Sequence, residues 1–171
     1  MNLVLIGYRG TGKSEVARLL GTKLKRVVVC LDEEIAQAAK LGIPDIVKTH
    51  GWSWFRDLES AVAKRFSRRD NLIIDTGGGV ILREQNVESL RHNGLVVWLK
   101  ASVDVIVERI ENSTDRPPLI EGKTFLDEVK EVLEERVSLY QAAADHEVDT
   151  DALSVVETAD RIVQILESEY I

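Results

Sequence analysis

Leu3-Val4-Leu5-Ile6-Gly7-Tyr8-Arg9-Gly10-Thr11-Gly12-Lys13-Ser14 reads as an apolar strand that turns through a glycine-rich loop into a helix. Gly7 through Ser14 match the pattern GxxxxGK[ST]. Glycines let such a loop wrap so that its N–H groups converge on an anion, and the helix N-terminus adds partial positive charge. Gly10, Thr11, Gly12, Lys13 and Ser14 therefore read as the phosphate-binding part of an ATP site. Lys13 would reach the β- and γ-phosphates, and Ser14 would ligate Mg2+. The loop alone names no reaction, and Arg9 within it is assigned no role.

Working outward, further apolar runs fall at Val27–Leu31, Leu72–Ile74 and Leu95–Leu99, with a weaker one near Val148. Helix-period segments lie between them at Lys13–Lys25, Trp52–Ser67, Val103–Glu111, Phe125–Ala144 and Ser154–Ser168. This alternation predicts an α/β fold, a parallel sheet with helices on both faces. The 171 residues fit a single domain spanning 1–171. Two stretches interrupt the pattern. Lys40–Trp54, punctuated by Gly42, Pro44 and Gly51, reads as an irregular insertion within a substrate-binding region, 32–60. Asn112–Lys123, with Pro117, Pro118 and Gly122, reads as a plain connection or a lid.

Composition excludes several function classes. With 44% hydrophobic and 30% charged residues the chain is globular, and no apolar run reaches the roughly 18 residues of a membrane span. A net charge of −7 supplies no basic field for a nucleic-acid backbone. Cys30 is the sole cysteine, so no internal disulfide or cysteine zinc cluster forms, and His50, His92 and His146 lack metal-ligand spacing. No signal peptide is legible at the N-terminus, so a cytoplasmic protein is expected, and a monomer is the expected state.

Asp32 follows the second strand, at the carboxyl edge where open α/β sheets bind ligands, or else caps the next helix. The third strand ends in Asp75-Thr76-Gly77-Gly78-Gly79, a glycine run suited to close backbone approach to a ligand. Arg56, Arg116 and Arg136 supply guanidinium forks that suit either a carboxylate or the oxygens of a moving phosphoryl group.

In order and spacing, these segments resemble the shikimate kinase family: GYRGTGKS, Asp32, Phe55-Arg56 with Glu59, the glycine run, RPP-L and R-x-x-L-Y. The resemblance implies a P-loop NTPase fold with a five-stranded sheet of order 2-3-1-4-5, and transfer of the ATP γ-phosphoryl to the 3-hydroxyl of shikimate. It also implies residue roles. Asp32 helps deprotonate the hydroxyl, Arg56 and Arg136 clamp the carboxylate, and Gly77, Gly78, Gly79 and Phe55 shape the pocket. Arg116 would close from a lid at 112–123, acting on the phosphates with Lys13, and Arg109, Asp149 and Thr150 would face the adenine. Two departures stand out: Cys30 occupies the place of the family's first aspartate in Asp-x-Asp, and Trp52 that of an acidic residue. Asp75 is the candidate replacement in holding Mg2+. A gluconate-type kinase and a catalytically silent nucleotide-binding module are the alternatives.

Overall fold

The computed structural model describes residues 1–110, 122 and 124–169. Its strands are β1 (Asn2–Ile6), β2 (Val27–Cys30), β3 (Leu72–Asp75), β4 (Gly94–Lys100) and β5 (His146–Asp149). They form one parallel sheet of order β2-β3-β1-β4-β5, as the resemblance implied. Alternation explains why β1 sits at the centre. Val4 and Ile6 enter one hydrophobic cluster, Leu3 and Leu5 the other, and both sets are excluded from solvent. A strand apolar on both sides can be buried only between two helical layers.

The helices are α1 (Lys13–Leu24), α2 (Leu31–Ala39), α3 (Ile43–Ser67), α4 (Glu84–His92), α5 (Val103–Ile110), α6 (Phe125–Ala143) and α7 (Val155–Glu169). Leu20 of α1 and Ile162 of α7 cover one face. Phe66 of α3, Leu90 of α4 and Tyr140 of α6 cover the other. Beside the sheet, α5 and α6 build a smaller cluster in which Tyr8 of the phosphate loop packs on Ile106, Ile110, Val129 and Val132. None of the helices, among the described residues, is long and apolar enough to cross a membrane.

Three details differ from the sequence reading. Residues 43–50 are helical, because Pro44 sits in the first turn, where its missing N–H removes no hydrogen bond. Gly51, at φ 84° and ψ 170°, then breaks α3 before it resumes. The helix α4 was unread because its sequence is polar, turning only Asn86, Val87 and Leu90 inward. Finally, α2 begins at Leu31 with Cys30 at its N-cap, so Asp32 stands in the first turn and is not the cap.

Gly94 shows how tightly α4 returns to the sheet. A Cβ there would strike the Leu90 carbonyl oxygen and lie 2.9 Å from Val4 Cγ2. Overpacking of this kind costs about 1–3 kcal/mol. Gly94→Ala is therefore expected to lower the unfolding free energy by that amount in urea titrations; an unchanged midpoint would refute the packing account.

Candidate active site

Because the strands are parallel, the loops after β1, β2, β3 and β5 emerge at one edge. The phosphate loop follows β1 with Gly10 at φ 81° and Gly12 at φ 87°, left-handed conformations that favour glycine. Gly12 is the N-cap of α1 and supplies no capping side chain. Thr11 Oγ1 donates to the Tyr8 carbonyl at 2.8 Å, pinning the turn. Lys13, only 7% exposed, folds its ammonium over the loop and donates to the carbonyls of Gly7 at 2.8 Å and Tyr8 at 3.0 Å.

A cleft extends from this loop along the sheet edge. Arg109 of α5 donates to the Gly10 carbonyl at 3.3 Å and to Thr150 Oγ1 at 3.2 Å, joining the loop to the end of β5. Asp149 does not share in this arrangement. It is exposed, and its carboxylate instead accepts from the Asp151 amide at 3.0 Å. One residue of register separates it from the cleft, since Thr150, not Asp149, turns inward as a buried side chain.

At the other end of the cleft, Ser14 Oγ donates to Asp75 Oδ2 at 2.6 Å. Asp75 is the register partner of Cys30 on the neighbouring strand. Burial pushes the Cys30 thiol up to about 11, with the charges of Asp75 and Asp32 adding to the rise. The thiol therefore stays protonated at neutral pH, leaving oxygen as the donor at this position. Ser14 and Asp75 provide the hard oxygens that suit Mg2+, which commonly takes only one or two protein carboxylates beside nucleotide phosphates.

The second cavity lies beside the first. Asp32, Trp52, Phe55, Arg56, Gly77–Gly79 and Arg136 all line it, together with Glu59, Tyr8 and Arg9. Arg56 Nη1 donates to Glu59 Oε2 at 2.7 Å, and its guanidinium lies over the rings of Phe55 at 5.2 Å and Trp52 at 5.4 Å. The unusual Trp52 is thus a wall for a cation. Arg136 donates to the Gly78 carbonyl at 3.3 Å, and Tyr140 OH shares that acceptor.

The glycine run is needed here for more than ligand access. A Cβ on Gly77 would lie 2.8 Å from Asp32 Oδ1 and 3.1 Å from Glu59 Oε1, and one on Gly79 would overlap the Arg56 guanidinium. The run lets charged side chains from α2 and α3 converge over β3. Sequence reasoning missed Tyr8, Arg9 and Glu128, and treated Glu59 only as part of a motif. Their signal is a distance in space: Arg9 Nη2 meets Glu128 Oε1 of α6 at 2.9 Å. Arg116 and the expected lid lie outside the described residues, Gly122 excepted.

A family model described as shikimate kinase matches residues 9–167. A shikimate kinase of Thermodesulfovibrio yellowstonii is 39% identical over 163 residues, covering 95% of this chain and 93% of its own. One from Pelotomaculum thermopropionicum is 36% identical, covering 99% and 98%. Among solved structures, shikimate kinase from Acinetobacter baumannii in complex with shikimate superposes with a TM-score of 0.93 at 30% identity, over 98% of this chain and 93% of that one. The Aquifex aeolicus enzyme gives 0.86 at 33% identity, over 100% and 99%.

Glu59 is fully buried, and burial raises its carboxyl above the ordinary 4.5 against the opposing pull of Arg56. The folded state therefore keeps this proton to higher pH than the unfolded chain does. From 4.5 up to the raised folded value, this group's contribution to stability falls as pH rises. Glu59→Gln should remove that falling component, giving a flatter stability profile above this point in denaturant titrations at stepped pH. A profile parallel to wild type would overturn the assignment.

Proposed function

From the premise that the chain belongs to the shikimate kinase family and is an ATP-dependent kinase, we propose that it phosphorylates the 3-hydroxyl of shikimate where its two cavities meet. Carrying this reading is the convergence of Arg56, Arg136 and Asp32 in a pocket that adjoins the phosphate loop. A planar carboxylate is best held by guanidinium forks, and two of them fix the ring's orientation as well as its position. The glycine-run backbone and Phe55 then bound the ring, leaving Asp32 toward the nucleotide cleft, which it also lines.

In the proposed reaction the acceptor hydroxyl oxygen attacks the γ-phosphorus. A new O–P bond forms as the bond to the β–γ bridging oxygen breaks, ADP leaves, and Asp32 takes the hydroxyl proton. Lys13 releases its loop carbonyls to meet the phosphate oxygens, neutralising charge where the transition state spreads it. Arg109 and Thr150 border the adenine end of the cleft. Arg116, on the strength of the resemblance, completes the cationic set. Mg2+, when bound beside Ser14 and Asp75, would neutralise the phosphate charge. The protein is proposed to work as a cytoplasmic monomer on small molecules, without nucleic acid.

A coupled assay of ADP formation with shikimate, quinate and gluconate tests the substrate. Turnover of shikimate well above the others is expected, and a preference for gluconate would overturn the proposal. Within it, Arg56→Ala and Arg136→Ala should each weaken shikimate binding by about 10- to 100-fold, as for lost charge-assisted hydrogen bonds, while nucleotide affinity stays within a few-fold. Loss of ATP affinity instead would displace the clamp.

Asp75 is tested separately. Asp75→Asn is expected to raise the Mg2+ concentration for half-maximal activity and to weaken Mn2+ binding to the nucleotide complex, read by electron paramagnetic resonance. Cys30→Asp, restoring a carboxylate on the paired strand, should recover part of both. A metal requirement untouched by Asp75→Asn would remove Asp75 from the site.

A further inference from the structure

Arg9 and Asp32 are, among the described residues, the two side chains that line both the acceptor pocket and the nucleotide cleft. Asp32 is there as the acceptor's base, which leaves the cation beside it without a task. Arg9 is no solvated surface group: its side chain is 15% exposed and is paired with Glu128, itself 4% exposed. Its guanidinium also packs over the ring of Phe125 at 5.4 Å, so three groups on α6 and the loop hold it in one orientation. Glu128 engages Nη2, while the buried Nε has no hydrogen-bond acceptor among the described residues.

A buried donor without an acceptor is costly, and it is relieved when an anion arrives. Like Arg9, the other cations near the junction are paired, Arg56 with Glu59, Arg136 with the Gly78 carbonyl and Arg109 with Thr150, but among the described residues it is Arg9 whose guanidinium keeps a buried donor unmatched. The anion that must cross from one cavity to the other during the reaction is the phosphoryl group. Building on the kinase reading above, we infer that Arg9 is a further catalytic residue, contacting the phosphoryl group as it passes to the acceptor and retaining it on the phosphorylated product. Glu128 is its positioning residue. It restrains the guanidinium beforehand, so that little side-chain freedom is lost when the phosphoryl group arrives.

A purely structural brace between loop and α6 makes a different forecast, and ligand pairs separate the two. The double variant Arg9→Met, Glu128→Gln removes the guanidinium without stranding a buried carboxylate. Calorimetry would compare its affinity for shikimate and for shikimate 3-phosphate, with thermal unfolding as the check on folding. Affinity for the phosphorylated ligand should fall about tenfold or more, with kcat falling in parallel, while affinity for shikimate changes less than about threefold. Arg9→Lys should recover part of the loss. Arg9→Gln, which can still donate to Glu128, is read by the same ratio should the double variant not fold. Equal losses for both ligands, or none for either, would overturn the inference. Failure of the wild type to phosphorylate shikimate would instead fail the kinase reading and this inference with it, and that arm is measured first.

Discussion

Parallel hydrogen bonding of β1 to β3 on one side and β4 on the other is the constraint from which the rest follows. It brings the carboxyl ends of the strands to a common edge, and only that edge can gather Ser14, Asp75, Asp32 and Thr150 from segments distant in the chain. The pairing also demands that β1 be apolar on both faces, which Leu3, Val4, Leu5 and Ile6 satisfy. A polar substitution there would disturb the core and misalign the loop that follows it. Stability and phosphate binding are thus written into the same short strand.

The second requirement is to concentrate positive charge in a chain whose net charge is −7. Buried carboxylates meet it. Glu59 fixes Arg56 and Glu128 fixes Arg9, each ion pair standing at the wall of the acceptor pocket. Buried ion pairs are weak sources of stability, because desolvation offsets much of their attraction. Their value here lies in position: each holds one edge of a guanidinium that lines the pocket. Aromatic faces do the rest, Trp52 and Phe55 under Arg56 and Phe125 under Arg9.

The α/β alternation and the phosphate loop were legible in the residues, because each depends on local pattern, whereas the strand order and the grouping of Arg56, Arg136 and Asp32 came from the family resemblance. Contacts between distant segments were not legible. Arg9 and Glu128 are 119 residues apart, and neither has a neighbour that announces the other. The helix α4 escaped because amphipathicity needs several inward apolar positions to register, and α4 has few. Asp149 and Thr150 show a finer limit. Adjacent residues at a strand end face opposite ways, so an assignment to the pair cannot say which one enters the cleft.

The glycine run also bears on how this pocket could be redesigned. Because Arg56 fills the volume that a Cβ on Gly79 would need, and Asp32 and Glu59 crowd Gly77, a side chain added at either position must displace the end of a charged side chain that lines the pocket. A change of acceptor that keeps those charges in place is better sought in the walls, on α3 and α6. Substitutions at Gly77 or Gly79 would shift the charged groups themselves, whereas variation at Trp52 and Phe55 would reshape the aromatic wall on which the Arg56 guanidinium rests.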